Sequence, residues 1–199
     1  NAGDVNGDGF GDLIIGAPDP FSYLPEDTAL QSGDAYVVFG KASGFSASLQ
    51  LSSLTGTDGF QVAGVGSDHF AAAVSSAGDI NGDGFGDVII SADGYYGDNS
   101  YVIFGKAAGF DPSVDVLSLD GSNGFQLRGT QQSFDDAGDV NGDGFDDLIA
   151  GNHILFGKNS GFDALVDVAT LDGTNGFGLT LPTTFFMISG AGDVNGDGF

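Results

Sequence analysis

The chain has 199 residues, 41% of them hydrophobic, with 36 glycines, no cysteine and a formal net charge of −24. Such a length can bury a sizeable core, the acidity excludes duplex nucleic acid and anionic membrane surfaces as partners, and the missing cysteine excludes disulfide or thiol chemistry. No apolar run reaches the roughly 18 residues of a membrane span, so membrane insertion is not expected. Aspartate makes up 27 of the 28 acidic residues. Because aspartate and glycine favour tight turns between short strands, the sequence predicts an all-β fold.

A nine-residue acidic motif recurs along the chain, first at Asp4 to Asp12. Complete copies follow at Asp79 to Asp87 and Asp139 to Asp147, and a fourth begins at Asp193 and stops at Phe199. Oxygen-bearing side chains at positions 1, 3 and 5, with glycine at position 6, are the ligand pattern of calcium loops, in which position 7 supplies a backbone carbonyl. The motif therefore predicts bound Ca²⁺ in three complete loops and a truncated fourth.

This motif differs from an EF-hand at its end. An EF-hand places a bidentate glutamate at position 12, where this chain has Ile15, Ile90 or Ala150. An aspartate at position 9 is the remaining ligand, and the apolar, β-prone residues after it predict a buried strand. We therefore expect each loop to join two strands. Dissociation constants of about 10⁻⁴ to 10⁻³ M, typical of small extracellular calcium modules, predict an extracellular setting.

Between successive loops, each repeat has a constant part and a variable part. A strand-like segment ending in Phe-Gly-Lys, at Phe39, Phe104 and Phe156, stands 21 residues before the next Gly-Phe strand start in every repeat. The distance from the loop to that segment varies from 35 to 25 to 17 residues. Pro18 to Asp27 lies in the longest variable segment, and a Tyr-Tyr pair lies in the second. Because insertions in repeats often carry recognition, partner contacts are expected there.

The second repeat contains four predicted strands, at Phe70 to Ser76, Asp87 to Ala92, Ser100 to Gly105 and Phe125 to Gly129. Four short antiparallel strands per repeat are typical of a β-propeller blade, although a sandwich or a solenoid is an alternative. We therefore predict a partial propeller of about three blades and the start of a fourth. The predicted blades of this single segment are residues 1–66, 67–130, 131–182 and 183–199.

These motifs resemble the FG-GAP repeat of integrin α-subunit propellers and of large bacterial surface proteins. The resemblance is carried by Phe70-Ala71, by the loop from Asp79 to Asp87 with Val88 to Ala92 after it, and by Gly16-Ala17-Pro18. It covers nearly the whole chain and implies calcium in the hairpin between the first two strands of each blade, in an extracellular, adhesive and usually seven-bladed protein. The ligands it implies, with each phenylalanine contributing its carbonyl, are Asp4, Asn6, Asp8, Phe10, Asp12, Asp79, Asn81, Asp83, Phe85, Asp87, Asp139, Asn141, Asp143, Phe145, Asp147, Asp193, Asn195, Asp197 and Phe199.

The chain departs from the family pattern in several places. Only the first repeat has Gly-Ala-Pro, and the Phe-Gly of the first strand is replaced by Phe70-Ala71, Phe134-Asp135 and Phe185-Phe186. The first strand of the third repeat, Ser133 to Ala137, is so short that an irregular blade is expected.

The two ends of the chain resemble each other. Asn1 to Phe10 and Gly190 to Phe199 are identical at nine of ten positions, and the first repeat lacks its first strand. Three blades cannot close a propeller, which has 4 to 8. We therefore expect either a longer parent protein or head-to-tail completion by another copy, whose Thr183 to Gly190 strand would fill the gap.

Other candidate sites have structural interpretations. His69 and His153 are isolated, and the sequence has no nucleophile elbow and no phosphate-binding loop, so no enzyme activity is predicted. Dockerin-like and thrombospondin-like calcium repeats are disfavoured by the strands and by loop spacings of 75, 60 and 54 residues. The lysines after each Phe-Gly are expected to pair with carboxylates. Phenylalanines that follow glycine are expected to anchor the core, namely Phe10, Phe45, Phe60, Phe85, Phe110, Phe125, Phe145, Phe162, Phe177 and Phe199.

The leading functional hypothesis is a calcium-binding module for adhesion or scaffolding, extracellular or at the cell surface, that contacts protein or glycan through its variable loops. The alternative is a structural subunit or tandem-repeat segment of an extracellular filament, joined head to tail to further copies. A third hypothesis is a non-catalytic domain of a larger secreted hydrolase.

Overall fold

A computed structural model describes residues 1–18, 32–64, 70–94, 97–107, 109–130, 133–180, 188–192 and 194. The described residues contain no α-helix, which confirms the all-β prediction, and no helix able to cross a membrane. The strands are β1 (Leu13–Ala17), β2 (Asp34–Val38), β3 (Gly59–Ala63), β4 (Phe70–Gly78), β5 (Asp87–Gly94), β6 (Gly97–Ile103), β7 (Ser113–Asp115), β8 (Gly124–Arg128), β9 (Phe134–Gly138), β10 (Asp147–Ala150), β11 (His153–Leu155), β12 (Leu165–Asp167) and β13 (Gly176–Gly178). Three short 3₁₀ turns are η1 (Leu51–Ser53), η2 (Val116–Ser118) and η3 (Val168–Thr170).

The strands form three sheets, one for each repeat, and consecutive strands of a repeat pair antiparallel. The second and third sheets contain the predicted four strands, β4-β5-β6-β8 and β9-β10-β11-β13. The first sheet has β1, β2 and β3, and its missing first strand is reduced to a bridge between Gly3 and Asp12. The observed bounds of the four strands in the second repeat lie within three residues of the predicted ones. The architecture is therefore that of β-propeller blades, as predicted.

Two sheets also receive a strand from the repeat that follows them. β7 pairs parallel with β3, and β12 pairs parallel with β8. These three-residue strands cover edges that would otherwise expose unpaired backbone groups. Segments of three residues are too short to show a hydrophobic period, so the sequence did not predict them.

The core fills the spaces between neighbouring sheets. Along β5, Val88 and Ile90 belong to the cluster shared with the first sheet, whereas Ile89 belongs to the cluster shared with the third. Successive side chains of a strand point to opposite faces, so the middle sheet is buried on both sides. This double burial explains the continuous apolar run after the second acidic loop.

Part of the predicted C-terminal strand also packs on the third sheet. Ser133 Oγ donates to the carbonyl of Ile188 at 3.3 Å, and Gly190 N donates to Asp135 Oδ2 at 3.1 Å. Residues 183–187, including Phe185-Phe186, lie outside the described residues. The predicted short first strand of the third repeat is present as β9, with a register shift next to Asp147.

Ala71 is a strained residue at the position where the family pattern has glycine. Its φ is +62°, and it is the one non-glycine residue with positive φ in the described part of the chain. A left-handed alanine costs roughly 1 to 2 kcal/mol, whereas glycine there costs only extra chain entropy. The structure thus explains the Phe-Gly pattern as a backbone requirement.

We expect Ala71→Gly to raise the free energy of unfolding by about 0.5 to 1 kcal/mol, because the released strain exceeds the added entropy of the unfolded chain. The neighbouring substitution Ala72→Gly is the matched control. It should lower that free energy by about 0.5 to 1 kcal/mol, since Ala72 lies in β4 without a positive φ. Chemical denaturation of both variants would measure the difference, and equal effects of the same sign would contradict the assignment of strain.

Candidate metal centre

Each complete acidic loop lies where the first strand of a sheet leads into the second. The loop from Asp79 to Asp87 joins β4 to β5, and the loop from Asp139 to Asp147 joins β9 to β10. The first loop, from Asp4 to Asp12, follows the Gly3 bridge and precedes β1. The loops therefore join strands, as predicted. The fourth loop's candidate ligands, Asp193, Asn195, Asp197 and Phe199, lie outside the described residues.

In the second loop, the backbone is wrapped around side-chain oxygens. Asp79 accepts hydrogen bonds from the N–H groups of Asp83 at 3.0 Å and Gly84 at 2.8 Å. Asn81 accepts from Asp83 N at 2.9 Å, and Asp83 accepts from Phe85 N at 3.0 Å. Gly84 at position 6 has a φ of +90°, which a side chain would disfavour. The side-chain oxygens at positions 1, 3 and 5 are therefore held together on one tight turn.

The other two complete loops repeat this arrangement. Asp4 accepts from Asp8 N at 3.0 Å and Gly9 N at 2.8 Å, and Asp139 accepts from Asp143 N and Gly144 N at the same distances. The amides of Asn6 and Asn141 likewise donate to the carboxylate two residues later. The same shape arises in three repeats, so it is determined by the motif itself.

The aspartate at position 9 is the most buried carboxylate of each loop. Asp12, Asp87 and Asp147 are 1%, 0% and 0% exposed. Asp87 accepts from Ile80 N at 3.1 Å and from Gly105 N at 2.9 Å, so it ties the start of its loop to the end of the third strand. Asp12 and Asp147 make the corresponding bonds in their own repeats.

Burial makes the charge on these carboxylates unfavourable. It raises the pKa of Asp87 to about 8 and that of Asp147 to about 6, although backbone N–H groups oppose the effect. The negative charges of Asp83 and Asp79 raise the pKa of Asp87 further. Burial likewise raises the pKa of Asp12. A positive charge nearby would therefore favour the ionised form of these carboxylates.

The chain's own lysines do not lie on these carboxylates. Lys41, Lys106 and Lys158 instead place Nζ over the rings of Phe45, Phe110 and Phe162, each at 4.8 Å from the ring centroid. The predicted carboxylate pairing is therefore replaced by a cation–π contact across four residues. The pKa of one carboxylate, Asp58, is lowered mainly by hydrogen bonds from Thr55. The positive charge of Lys41 lowers it to a lesser extent.

The side chains do not by themselves form a closed metal cage. Among the described residues, no three histidine, cysteine, aspartate or glutamate side chains are arranged to hold a metal ion. The donor set of each loop nevertheless suits a hard cation, since it offers three carboxylates, an asparagine amide oxygen and a backbone carbonyl. The residues therefore fit Ca²⁺ in chemistry, and the buried carboxylate supplies a reason for the ion to bind.

Neighbouring loops also contact each other. A side chain at Gly7 would overlap the ring of Phe85, and one at Gly82 would overlap the ring of Phe145. Asp79 N donates to Asp146 Oδ2 of the next loop at 2.8 Å. The position-7 phenylalanine therefore packs on the preceding loop as well as carrying the predicted carbonyl ligand.

The other sequence-predicted residues have mixed outcomes. Phe60, Phe110, Phe125 and Phe162 are buried core anchors as predicted. Phe85, Phe145 and Phe177 are half-buried, whereas the core prediction was wrong for Phe10 and Phe45, which are 42% and 52% exposed.

The two histidines can be placed only in part. His153 lies on β11, half-buried, and burial lowers its pKa. Its buried Nδ1 has no hydrogen-bond partner among the described residues. His69, residues 19–27 of the long variable segment, Tyr95 and Tyr96 lie outside the described part of the chain.

Propeller-type sheets with an acidic loop in the first hairpin define a class of repeat protein. Comparison with known proteins shows which repeat family matches this pattern. The profile of the FG-GAP repeat family matches residues 1–38 and 70–104. These two segments of the chain are therefore FG-GAP repeats.

Similar proteins include several integrin α-subunits. The chain is 31% identical to integrin alpha-4 of Xenopus laevis over 152 residues, 75% of this chain and 14% of that protein. It is 33% identical to integrin alpha pat-2 of Caenorhabditis elegans over 165 residues, 74% of this chain and 12% of that protein. Integrin alpha-V of Gallus gallus is 32% identical over 162 residues, again 74% of this chain and 14% of that protein. The match thus spans a small part of each relative's length.

Proposed function

We propose that the chain is a calcium-binding β-propeller module, extracellular or at the cell surface, that serves in adhesion or scaffolding and has no catalytic activity. The similarity to integrin α-subunits supports the adhesive class. The blades of this module are residues 1–66, 67–130, 131–182 and the partial 183–199. Its calcium ligands are the loop residues at positions 1, 3, 5, 7 and 9 named above, those of the fourth loop included.

The buried aspartate at position 9 is the observation that carries this proposal. Asp87 is fully buried, its pKa is raised by burial and by two neighbouring aspartates, and it accepts hydrogen bonds from the backbone N–H groups of Ile80 and Gly105. When bound, Ca²⁺ would supply the positive charge that keeps this carboxylate ionised. Asp87 would then connect the ion, the hairpin and the third strand, so calcium would stiffen the blade.

Isothermal titration with CaCl₂ tests this proposal directly. We expect saturable binding of at least three ions per chain, with dissociation constants of about 10⁻⁴ to 10⁻³ M. MgCl₂ is the control, because Mg²⁺ demands a tighter octahedral geometry and should bind more weakly. If injection of CaCl₂ gave no heat of binding and calcium left the melting temperature unchanged, the proposed calcium sites would be contradicted.

The variable segments are proposed to contact a protein or glycan partner. The longest one falls between β1 and β2 in the sequence. Beads coated with the chain should bind spots on a printed glycan array or a panel of immobilised extracellular-matrix proteins. Replacing residues 19–31 with a Gly-Ser linker should abolish binding while leaving calcium titration unchanged. Full binding by the replaced variant would place recognition elsewhere.

Self-association is the second candidate, in which the chain is a subunit or tandem segment of an extracellular filament. The exposure of Phe10 and Phe45, whose counterparts in the later repeats are more buried, favours it. A domain attached to a secreted hydrolase remains a third proposal, with no structural observation in its favour.

A further inference from the structure

Asparagine is followed by glycine in two structural settings of the second repeat. Asn81-Gly82 lies in the acidic loop, at positions 3 and 4, and Asn123-Gly124 lies where β8 begins. An asparagine before glycine is prone to cyclise, because glycine has no side chain to shield its nitrogen and its backbone can adopt the conformation that ring closure needs. The two bonds have the same covalent chemistry and differ in their folded surroundings.

In the acidic loop, the amide of Asn81 points towards residues that follow it in the chain. Asn81 Oδ1 accepts a hydrogen bond from Asp83 N at 2.9 Å, and Nδ2 donates to Asp83 Oδ2 at 3.0 Å. Gly82, the residue between them, is exposed and has a φ of +72°. The side-chain carbon Cγ of Asn81 and the nitrogen that would attack it therefore belong to one tight turn that water can reach.

The amide of Asn123 points in the opposite direction. Its Oδ1 accepts from Asp120 N at 3.0 Å, and its Nδ2 donates to the carbonyl of Ser118 at 3.2 Å. Both partners precede Asn123, whereas the attacking nitrogen belongs to the residue after it. Gly124 is buried in β8, with a φ of +138° and Ile103 opposite it on β6. Ring closure at Asn123 would therefore require local unfolding of this end of β8.

The reactive arrangement recurs in the third acidic loop. Asn141 Oδ1 accepts from Asp143 N at 2.8 Å, as in the second loop. Gly142 N donates to Asp139 Oδ1 at 2.7 Å, so the proton that this nitrogen must lose already contacts a carboxylate oxygen. The arrangement thus accompanies the acidic motif and does not depend on one repeat.

We propose that the Asn-Gly bond of each complete acidic loop is a site of spontaneous deamidation, which proceeds in the calcium-free loop and is prevented by bound calcium. The Gly82 nitrogen bonds to Asn81 Cγ, the Cγ–Nδ2 bond breaks, and the proton of that nitrogen leaves with the amide group as ammonia. Water then opens the succinimide at either carbonyl, which gives aspartate or isoaspartate. The inference rests on the calcium binding proposed above.

Calcium would prevent the first step because it holds the asparagine in place. Ring closure joins Asn81 Cγ to the Gly82 nitrogen and so breaks the hydrogen bonds between Asn81 and Asp83. In a loaded loop the same movement would also withdraw Oδ1, the position-3 ligand, from the ion. Only empty loops can then react, and their fraction falls about a hundredfold when free calcium is about a hundred times the dissociation constant.

The two products would affect the metal site differently. Aspartate at position 3 keeps the length of the backbone, and calcium loops accept either aspartate or asparagine there. Isoaspartate adds a carbon to the main chain between positions 3 and 4, so the oxygens at positions 1, 3 and 5 no longer share one turn. A period without calcium would therefore destroy calcium sites permanently, in proportion to the isoaspartate formed.

Peptide mapping of the whole chain tests the proposal. Trypsin cuts after Lys41, Lys106 and Arg128, which places the two Asn-Gly bonds in separate peptides, 42–106 and 107–128. The folded protein is aged at mildly alkaline pH in CaCl₂ or in chelator. Mass spectrometry then detects replacement of NH₂ by OH, and enzymatic carboxyl methylation detects isoaspartate. In chelator, peptide 42–106 should react much faster than 107–128, and excess CaCl₂ should slow it by up to about a hundredfold.

Glutamine variants provide matched controls, because glutamine keeps the amide but must close a larger, slower-forming ring. Asn81→Gln should remove the fast deamidation of peptide 42–106, whose other asparagine is Asn99, and Asn123→Gln should leave it unchanged. In denaturant, the wild-type bonds at Asn81 and Asn123 should react at similar rates, which would assign their difference to the fold.

Two results would overturn the inference. One is equal deamidation of peptide 42–106 in CaCl₂ and in chelator, and the other is equal deamidation of the two peptides in chelator. Calcium titration of the same samples separates this failure from that of the proposed function. Calcium binding without protection of Asn81 overturns the inference alone, whereas absence of calcium binding overturns both.

Discussion

Gly121→Ala is expected to lower the free energy of unfolding by about 3 to 5 kcal/mol, whereas Gly173→Ala should lower it by only about 1 to 2 kcal/mol. Both glycines occupy the same position of the repeat, with φ of +94° and +92°. Both substitutions therefore impose the same left-handed strain. Only at Gly121 would the added carbon also overlap the backbone carbonyl of Phe162, which must then move with its blade. The difference between the two losses of unfolding free energy measures the packing between repeats.

Denaturant unfolding at low protein concentration, where any self-association is dissociated, is the appropriate measurement. Gly56→Ala should behave like Gly121→Ala, because it would overlap the carbonyl of Phe110 in the same way. Equal losses at Gly121 and Gly173 would show that backbone strain alone determines the cost. In that case the close approach between repeats would contribute nothing measurable to stability.

The acidic loop conformation and the strands were predictable because their signals are local. The order Asp-x-Asn-x-Asp-Gly fixes a turn through hydrogen bonds within nine residues, as the loop from Asp79 to Asp87 shows. The apolar run after it predicts β5 because burial on both faces needs no polar alternation. The constant spacing between Phe104 and Phe125 likewise predicts a fixed pair of strands, and these rings meet at 5.9 Å.

What the sequence did not predict depends on contacts between repeats. The stacking of Phe110 on Phe60 and the parallel strand β7 need a neighbouring repeat, so neither has a signal within its own segment. Phe45 follows Lys-Ala-Ser-Gly much as Phe110 follows Lys-Ala-Ala-Gly, but Phe45 lacks that neighbour among the described residues and is exposed. Lys106 Nζ lies over the ring of Phe110, four residues later in the chain, a contact that charge counting alone would assign to a carboxylate.

These observations connect calcium with assembly. The first acidic loop contacts the second, through Phe85 on Gly7, and the second contacts the third, through the hydrogen bond from Asp79 N to Asp146. The chain carries a net charge of −24, which opposes both the packing of loops and the approach of a second copy. Divalent ions in the loops would reduce that repulsion where the repeats meet. Calcium is therefore expected to strengthen folding and self-association together.

Asp83→Asn should remove most of the calcium-dependent stability of the second loop while leaving the calcium-free protein almost unchanged. With free calcium about a hundred times the dissociation constant, one site contributes about 2.7 kcal/mol, so the loss should approach that value. In chelator the substitution removes one of several mutually repelling carboxylates, and a slight gain in stability is expected. Thermal melts in calcium and in chelator would measure both effects.

Asp120→Asn provides the matched control for this experiment. Asp120 accepts a hydrogen bond from Ser122 N at 2.9 Å, just as Asp83 accepts one from Phe85 N at 3.0 Å, and both substitutions remove one negative charge. Asp120 lies outside the acidic loops, so its change should shift the melting temperature equally in calcium and in chelator. If Asp83→Asn also shifts both melts equally, the second loop is a hydrogen-bonded turn that holds no ion. A calcium-specific loss at Asp83 alone assigns the stabilisation to the metal, since both variants lose one negative charge at an aspartate that accepts from the N–H two residues later.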